Sequence, residues 1–232
     1  MKEKIVIATI KTWNLHNAKK LHRMLKARYE VIIMPQKRSL RYERLKEINP
    51  RYIFFPHWSS IIPEAIYENF ECVVFHMTDL PYGRGGSPLQ NLILRKVYDT
   101  KISAIQAAGG IDAGRIYLKT DLSIENGSAE EIFKKASAII FFRMIPYILK
   151  KNPRPHPQNG KAVYFRRRSP KESEVSSLKV QTPDDLYDFI RMLDAEGYPK
   201  AFIKVGGLKV EFHGVSKKGD KLSGRFEVKD EE

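Results

Sequence analysis

Apolar, β-branched segments alternate with helix-forming segments through the first 150 residues, and this alternation constrains the fold more than any other feature of the sequence. It predicts strands over residues 4–10, 30–34, 51–55, 72–76, 102–107 and 115–120, and helices over 17–28, 40–48, 63–68, 88–95 and from 128 towards 150. Strands and helices that alternate in this way form a mostly parallel sheet covered by helices. The expected class is therefore α/β, with a Rossmann-like layout.

A proline-rich stretch at residues 152–160 predicts that the chain leaves this first domain in an extended connection. We expect a main domain over 1–151, followed over 152–182 by a linker that includes one connecting strand. Residues 183–232 are expected to form a small, β-rich C-terminal subdomain. Its elements are a helix over 183–193, a hairpin of 201–205 and 208–212 around Gly206–Gly207, and a second hairpin turn near Lys218.

Composition excludes several classes of protein. No run reaches the roughly 18 apolar residues that a membrane-spanning helix needs, and the opening segment turns polar too early for a secretory signal peptide. The single cysteine, Cys72, allows no internal disulfide and no cysteine-rich zinc site, and its apolar neighbours predict a packed core thiol. The histidines show no metal-ligand spacing. We therefore expect a cytoplasmic protein with no membrane partner and no metal.

The formal charge of +14 is concentrated near the N-terminus, because residues 1–50 contain 13 Lys and Arg but only 4 Asp and Glu. A basic patch of this kind attracts nucleic acid, a phosphorylated small molecule or a polyanionic cofactor by raising its local concentration. Solvated helix surfaces without any partner carry similar runs of charge. Charge alone therefore leaves these interpretations open.

The densest group of chemically informative residues lies at 75–88. A predicted strand ends at His76, the chain turns through Pro81 and three glycines, and a helix opens at Pro88 with Ser87 as its expected cap. In an open parallel sheet the carboxyl ends of the strands face the ligand crevice, which places His76 at the site. Glycines there let backbone amides approach a ligand closely. A structural histidine with satisfied hydrogen bonds is the alternative.

A second loop, residues 109–114, carries Asp112 among glycines and separates two predicted strands. Taken alone, an aspartate in this setting is more often a turn-former than a catalyst, because Asp bonds to its own backbone in turns. Its significance comes from its combination with His76.

Together, the two loops resemble those of the folate-dependent formyltransferase family, which includes enzymes that act on methionyl-tRNA and enzymes that act on amino sugars. The shared pattern consists of His76, Leu80–Pro81, the helix start at 84–88 with Gln90 and, further on, the Gly-x-Asp-x-Gly loop at 110–114. Two spaced motifs with the same intervening helix make this a specific resemblance.

The resemblance implies a Rossmann-like formyltransferase domain that transfers a formyl group from 10-formyltetrahydrofolate to an amine. His76 and Asp112 would be the catalytic residues, with His76 donating to the developing oxyanion or moving a proton, and Asp112 orienting it. The residues expected to bind the folate are Pro56, His57, Trp58, Ile62, Gly109, Gly110 and Ile111. Those expected to bind the acceptor are Lys11, Trp13, Asn14, Tyr82, Gly83, Arg84, Gly85, Gly86, Arg166 and Arg167.

One position departs from the family pattern, since Val74 stands where the family has an asparagine two residues before the histidine. A valine side chain cannot donate a hydrogen bond, so the usual oxyanion partner is missing from this position. Asn14, on the loop after the first strand, is a candidate substitute, and helix capping is its alternative role.

The C-terminal part is too short for the complete barrel of the tRNA enzymes, so we expect the tRNA-binding half to be largely missing. The expected acceptor is therefore the amino group of a nucleotide-linked sugar, and a homodimer is expected by analogy. Three alternatives stay open. They are methionyl-tRNA formyltransferase-like activity, hydrolysis of the formyl donor with Asp79 as an additional base, and a non-catalytic folate- or RNA-binding role favoured by Val74 and the basic N-terminal segment.

Overall fold

The computed structural model describes residues 2–177 and 180–231, which fall into two compact units that interleave along the chain. The first unit comprises Met1–Arg84, Lys101–Leu122 and Lys134–Tyr164. The second comprises Gly85–Thr100, Ser123–Phe133 and Phe165–Glu232. The domain boundaries expected at 151/152 and 182/183 stay a prediction.

A six-stranded sheet forms the centre of the first unit, with the strand order β2-β1-β3-β4-β6-β7. The strands are β1 (Glu3–Ala8), β2 (Tyr29–Met34), β3 (Tyr52–Phe55), β4 (Cys72–His76), β6 (Asp99–Gln106) and β7 (Ile116–Ser123), and β5 (Tyr82–Gly85) pairs separately with β8 (Val163–Phe165). β1 pairs in parallel with β2 and β3, β3 in parallel with β4, and β4 antiparallel with β6. The predicted α/β class with a mostly parallel sheet is confirmed.

The central strands are buried on both faces, which explains why their sequences are apolar throughout rather than alternating. In β1 the residues from Ile5 to Ala8 have no exposed surface, and β3 is buried along its whole length. Cys72 at the start of β4 is 1% exposed, and burial raises the pKa of its thiol to about 12. The predicted packed core thiol is confirmed.

The helices are α1 (Thr12–Leu25), α2 (Tyr42–Ile48), α3 (Glu64–Tyr67), α4 (Pro88–Leu94), α5 (Ala129–Ile139), α6 (Ile145–Lys151) and α7 (Pro183–Arg191). A π-helical turn, Ile140–Met144, joins α5 to α6, so the single long helix expected from 128 towards 150 is interrupted. The predicted capping box is confirmed, because Ser128 and Glu131 exchange backbone-to-side-chain bonds of 2.8 and 3.3 Å. Ser87 is the N-cap residue of α4, but its side chain makes no capping bond.

The second unit contains α4, α7 and an antiparallel sheet with the order β11-β10-β9. Its strands are β9 (Ala201–Val205), β10 (Leu208–Lys218) and β11 (Lys221–Asp230), so both predicted hairpins form. The hydroxyl of Thr182 caps α7 by accepting from the amide of Asp185 at 3.1 Å. Phe226 and Val228 on β11 are 65% and 51% exposed. The expected homodimer stays a prediction.

Among the residues that the structure describes, none of the helices combines the length and the hydropathy needed to cross a membrane. Nor does that part of the chain place three or more His, Cys, Asp or Glu side chains where they could hold a metal ion. Cytoplasmic location stays a prediction.

Candidate active site

The two residues predicted to be catalytic lie side by side in the first unit. His76 ends β4, and Asp112 lies on the loop between β6 and β7. The Nδ1 atom of His76 is 3.4 Å from Oδ2 of Asp112, and the two side chains are 9% and 19% exposed. The fold therefore brings an imidazole and a carboxylate into contact at the carboxyl end of a central strand, largely screened from water.

The other ring nitrogen of His76 is also engaged. Its Nε2 atom lies 2.7 Å from the carbonyl oxygen of Gly83. A carbonyl oxygen only accepts, so Nε2 carries the hydrogen of this bond. The hydroxyl of Thr78 donates to the same oxygen at 3.3 Å. Because both ring nitrogens face oxygen atoms, the plane of the imidazole is fixed.

The turn after β4 is held by polar contacts from β6 and β7. The Ser103 hydroxyl donates to the carbonyl oxygen of Thr78 at 2.7 Å and accepts from the amide of Leu80 at 3.3 Å. The Lys119 ammonium donates to the carbonyl oxygen of Leu80 and forms an ion pair with Asp79. Asp79, considered as the base of a hydrolase, is therefore tied to a cation on β7.

The loop that carries Asp112 has a constrained backbone. Asp112 has a φ of 47°, in the left-handed region that Asp tolerates better than most residues. A Cβ atom at Gly114 would lie 1.7 Å from the carbonyl oxygen of Gln106 at the end of β6. Position 114 therefore requires glycine, and this close approach fixes the path of the chain two residues after the carboxylate.

Gln158, which the sequence did not single out as a site residue, bonds directly to this loop. Its side-chain amide donates to the carbonyl oxygens of Asp112 and Gly114, each at 2.8 Å. Its Oε1 atom accepts from the Arg84 guanidinium at 2.8 and 3.2 Å. Gln158 lies in the proline-rich stretch 152–160, whose composition indicates only an extended connection.

A second polar cluster lies after β1 and β3. The side-chain amide of Asn14 donates to the hydroxyl of Thr9 at 3.0 Å and to the carbonyl oxygen of Pro56 at 3.2 Å. Both of its amide hydrogens are thereby used, so Asn14 has no donor left to replace the one missing at Val74. The capping role considered for Asn14 is wrong, because α1 begins at Thr12.

His57 belongs to the same cluster. Its ring meets Trp13 edge-on, with the ring centroids 5.8 Å apart, and the Lys11 ammonium lies 5.5 Å from the centre of the Trp13 ring. Burial, followed by the charge of Lys11, lowers the pKa of His57 from 6.5 to about 4. The imidazole is therefore neutral at neutral pH and can donate one hydrogen bond and accept another.

Comparison with known proteins identifies the family. Residues 170–229 match the family model described as the C-terminal domain of methionyl-tRNA formyltransferase. A solved structure, "Methionyl-tRNA formyltransferase from Clostridium thermocellum", is 52% identical over 98% of this chain and 99% of that chain, with a TM-score of 0.95. The chain belongs to the folate-dependent formyltransferase family.

Similarity to other formyltransferases is weaker. The methionyl-tRNA formyltransferase of Bacillus thuringiensis strain Al Hakam is 26% identical over 176 residues, which cover 73% of this chain and 55% of that protein. The chain thus spans only about half the length of such curated relatives. A likely sugar N-formyltransferase from Mycobacterium tuberculosis is 15% identical over 89% of this chain and 93% of its own, with a TM-score of 0.70. At that identity the similarity shows the fold alone.

Two of the residues expected to bind the formyl donor, Trp58 and Ile62, form an apolar patch with Tyr67, which the sequence did not single out. All three are partly exposed and pack against the buried core of the first unit, together with Val74 and Ala107. Within the described residues, the buried indole nitrogen of Trp58 has no hydrogen-bond partner. Since a buried N–H normally finds an acceptor, the apolar patch fits a flat ring with acceptor atoms on its edge, such as the pterin of a folate.

The other residues expected to bind the folate lie around the Asp112 loop and after β3. Gly109 and Gly110 are exposed, and Ile111 is 65% exposed. A Cβ atom at Gly109 would lie 3.9 Å from the hydroxyl of Tyr67, so this loop runs beside the apolar patch. The carbonyl of Pro56 is already occupied by Thr9 and Asn14.

The residues expected to bind the acceptor are divided between the two units. The first unit holds Lys11, Trp13, Asn14, Tyr82, Gly83 and Arg84, and the second holds Gly85, Gly86, Arg166 and Arg167. The amide of Gly86 donates to the carbonyl oxygen of Phe165 at 3.0 Å, so it has no hydrogen left for a ligand. A Cβ atom at Gly86 would lie 2.5 Å from that of Arg167, so this glycine permits close packing. Arg166 pairs with Glu172 at 2.7 Å, and Arg167 is exposed.

Proposed function

We propose that this formyltransferase transfers the formyl group of 10-formyltetrahydrofolate to the amino group of methionyl-tRNA. The observation that carries the proposal is the 52% identity, over nearly the whole of both chains, with the Clostridium thermocellum protein titled methionyl-tRNA formyltransferase. The contact between His76 and Asp112 supports the chemical part of the proposal.

The reaction forms a bond between the amine nitrogen and the formyl carbon, breaks the bond from that carbon to the folate nitrogen, and moves one proton from the first nitrogen to the second. The chain must therefore receive and return a proton and offset negative charge on the formyl oxygen. An imidazole accepts a proton at one ring nitrogen and donates one from the other, so His76 can serve both needs once its Nε2 hydrogen leaves the carbonyl oxygen of Gly83. Asp112 holds the ring in place and stabilises positive charge on it.

Val74 sets a limit on the rate. An amide at this position would add a second donor to the formyl oxygen, and loss of one such donor typically costs ~10² to 10³ in turnover. Both amide hydrogens of Asn14 are already bonded, so this side chain does not replace the missing donor. We therefore expect measurable but slow turnover.

The choice of acceptor differs from the main expectation drawn from the sequence. That expectation, a nucleotide-linked sugar, rested on the short C-terminal part. Residues 170–229 nevertheless match the C-terminal domain model of methionyl-tRNA formyltransferase, and the Clostridium thermocellum chain is covered to 99% by this one. A short C-terminal part therefore does not argue against tRNA. The sugar N-formyltransferases, at 14–15% identity, support only the shared fold.

A polyanionic acceptor also suits the surface of α1. We call Lys19, Lys20, Arg23 and Lys26 the α1 basic surface, since all four side chains are exposed. None of them forms an ion pair with an acidic side chain in the part of the chain that the structure describes. Unpaired, exposed cations bind phosphates by releasing condensed counterions, so this surface favours a nucleic-acid acceptor over a small neutral amine.

The experiment incubates the purified chain with 10-formyltetrahydrofolate alone, with methionyl-tRNA, or with an amino-sugar nucleotide, and follows release of tetrahydrofolate. We expect release only with methionyl-tRNA, together with formylmethionyl-tRNA as product. Release only with the sugar nucleotide would contradict the proposal and show that the acceptor is an amino sugar. Release without any acceptor would indicate a hydrolase. Binding of the folate without release in any arm would indicate a non-catalytic protein.

A further inference from the structure

The side chain of Gln158 uses its whole hydrogen-bonding capacity within the active-site region. Its two amide hydrogens go to the carbonyl oxygens of Asp112 and Gly114, and its oxygen accepts two bonds from Arg84. A side-chain amide has two donors and two acceptor lone pairs, so nothing remains for solvent or ligand. Such saturation is typical of a residue that fixes other groups in place.

The backbone around Gln158 is itself fixed to the sheet. His156 and Ile116, at the start of β7, exchange two backbone hydrogen bonds of 2.7 and 2.9 Å. The side chain of Arg115 donates from Nε to the carbonyl oxygen of Pro155 at 2.9 Å. The proline-rich stretch therefore lies along the strand that follows the Asp112 loop. These bonds hold its backbone independently of the Gln158 side chain.

Gln158 connects the two loops that hold His76. On one side it bonds to the backbone of Asp112, whose carboxylate faces Nδ1 of His76. On the other side it holds Arg84, the residue next to Gly83, whose carbonyl accepts from Nε2 of His76. Arg84 is fixed further by the hydroxyl of Tyr164, at 3.2 Å. One side chain thus determines the spacing between the two groups that face the ring nitrogens.

We infer that Gln158 is a positioning residue of formyl transfer, which acts by setting the distance between the Asp112 loop and the Gly83 carbonyl and thereby the orientation of His76. This inference rests on the proposed function for its catalytic part. Misplacing a reacting group by about 1 Å can cost ~10² in rate, so loss of the connection should lower kcat without weakening folate binding.

The test compares Gln158→Ala and Gln158→Glu with the wild type. Glutamate keeps the size of the side chain and an acceptor for Arg84, but it has no N–H for the two carbonyl oxygens. Gln36→Ala is the matched control, because Gln36 also accepts from an arginine, Arg38, at 2.7 Å but lies on an exposed turn. Circular dichroism and thermal melting establish that each variant is folded.

Two measurements are made on each protein. The first is the pH dependence of kcat, with KM for 10-formyltetrahydrofolate, using methionyl-tRNA as acceptor. The second is the ¹⁵N chemical shifts of the ring nitrogens of His76, assigned by their loss in His76→Gln. We expect both Gln158 variants to lower kcat about 10- to 100-fold, to shift the pH profile, and to leave KM within about twofold. The His76 shifts should change in both, and Gln36→Ala should match the wild type.

The outcomes separate this inference from the proposed function. If the wild type transfers no formyl group to methionyl-tRNA, the proposed function fails, and the nitrogen shifts alone decide whether Gln158 positions His76. If kcat and the His76 shifts are unchanged in a folded Gln158 variant, the inference is overturned. A lower kcat with unchanged His76 shifts also overturns it, because the effect would not pass through the histidine. If Gln158→Ala does not fold, the same measurements on Gln158→Glu are compared with those on the wild type.

Discussion

The Nε2 atom of His76 donates to the carbonyl oxygen of Gly83, 2.7 Å away, so the position of the ring hydrogen is set by the backbone of the following turn. The opposite ring nitrogen faces Asp112 at 3.4 Å. The histidine is therefore held between a main-chain acceptor and a carboxylate. Its competence as a proton carrier depends on two loops that lie far apart in the sequence.

The first prediction concerns the close approach at Gly114. Gly114→Ala places a methyl group 1.7 Å from the carbonyl oxygen of Gln106, which the sheet cannot move cheaply. We expect the unfolding free energy to fall by about 3 kcal/mol, and kcat to fall with it because Asp112 lies on the same loop. Urea unfolding measures the first effect. Gly207→Ala, where an added Cβ meets nothing within 4 Å, should leave stability nearly unchanged.

The second prediction concerns pH. His57 has a folded-state pKa of about 4 against 6.5 for the ordinary group, so the folded chain binds fewer protons than the unfolded chain between these values. Stability should therefore fall as the pH is lowered from 6.5 to 4, with His57 contributing about 2 kcal/mol after allowance for its partial exposure. Because His57 has a φ of 52°, in the left-handed region that asparagine tolerates, His57→Asn should keep the backbone and remove that part of the pH dependence of urea unfolding.

The matched substitution His16→Asn lies at an exposed position of α1. It should keep the wild-type dependence of unfolding free energy on pH. A His57→Asn profile that coincides with the wild type would show that the buried imidazole is not the source of the effect.

The third prediction concerns the missing donor. Val74 packs against the apolar cluster of Leu80, Ile105 and Ile116, so Val74→Asn should lower the unfolding free energy by about 1–2 kcal/mol. The added amide should nevertheless raise kcat about tenfold or more, because it supplies a donor to the formyl oxygen. Val74→Leu is the control, because its side chain branches at the same atom as asparagine but offers no donor. If both variants show the same kcat, the absent asparagine does not limit turnover.

The fourth prediction concerns the α1 basic surface. The double substitution Lys19→Glu and Arg23→Glu should raise KM for methionyl-tRNA about tenfold and leave kcat unchanged. The slope of log KM against log salt concentration should fall by about one to two, which corresponds to the loss of about one to two phosphate contacts. Lys150→Glu with Lys151→Glu changes the net charge equally at exposed positions of α6. Equal effects from both pairs would mean that total charge matters and the α1 basic surface does not.

Much of the fold was predictable because the spacing of apolar residues along the sequence indicates which positions are buried. The run at β4 is apolar between Glu71 and His76, and the predicted limits of the strand are the observed ones, Cys72–His76. α1 begins at Thr12, five positions before its predicted start at 17, because Lys11 at its N-cap makes no capping bond and gives no start signal. β10 continues to Lys218, beyond the predicted end at 212, because its last residues are mostly exposed and carry no apolar alternation.

The site was predictable only in part. The resemblance to the folate-dependent formyltransferases implied that His76 and Asp112 act together, and the fold brings them into contact because each ends or follows a strand of the same sheet. Gln158 gave no signal, because its partners are the backbone carbonyls of Asp112 and Gly114 and not side chains with a recognisable pattern. The second β pairing, between β5 and β8, was missed for a similar reason, as the glycines of β5 indicate a turn.

The most direct test of the account is the steady-state rate of formyl transfer from 10-formyltetrahydrofolate to methionyl-tRNA by the wild type, His76→Gln and Asp112→Asn. Asp121→Asn, at a carboxylate that is 87% exposed, is the control. The account predicts formylmethionyl-tRNA from the wild type and the control, and a kcat at least ~10² lower in the two site variants, with folate binding retained. Rates close to wild type in either site variant would contradict it.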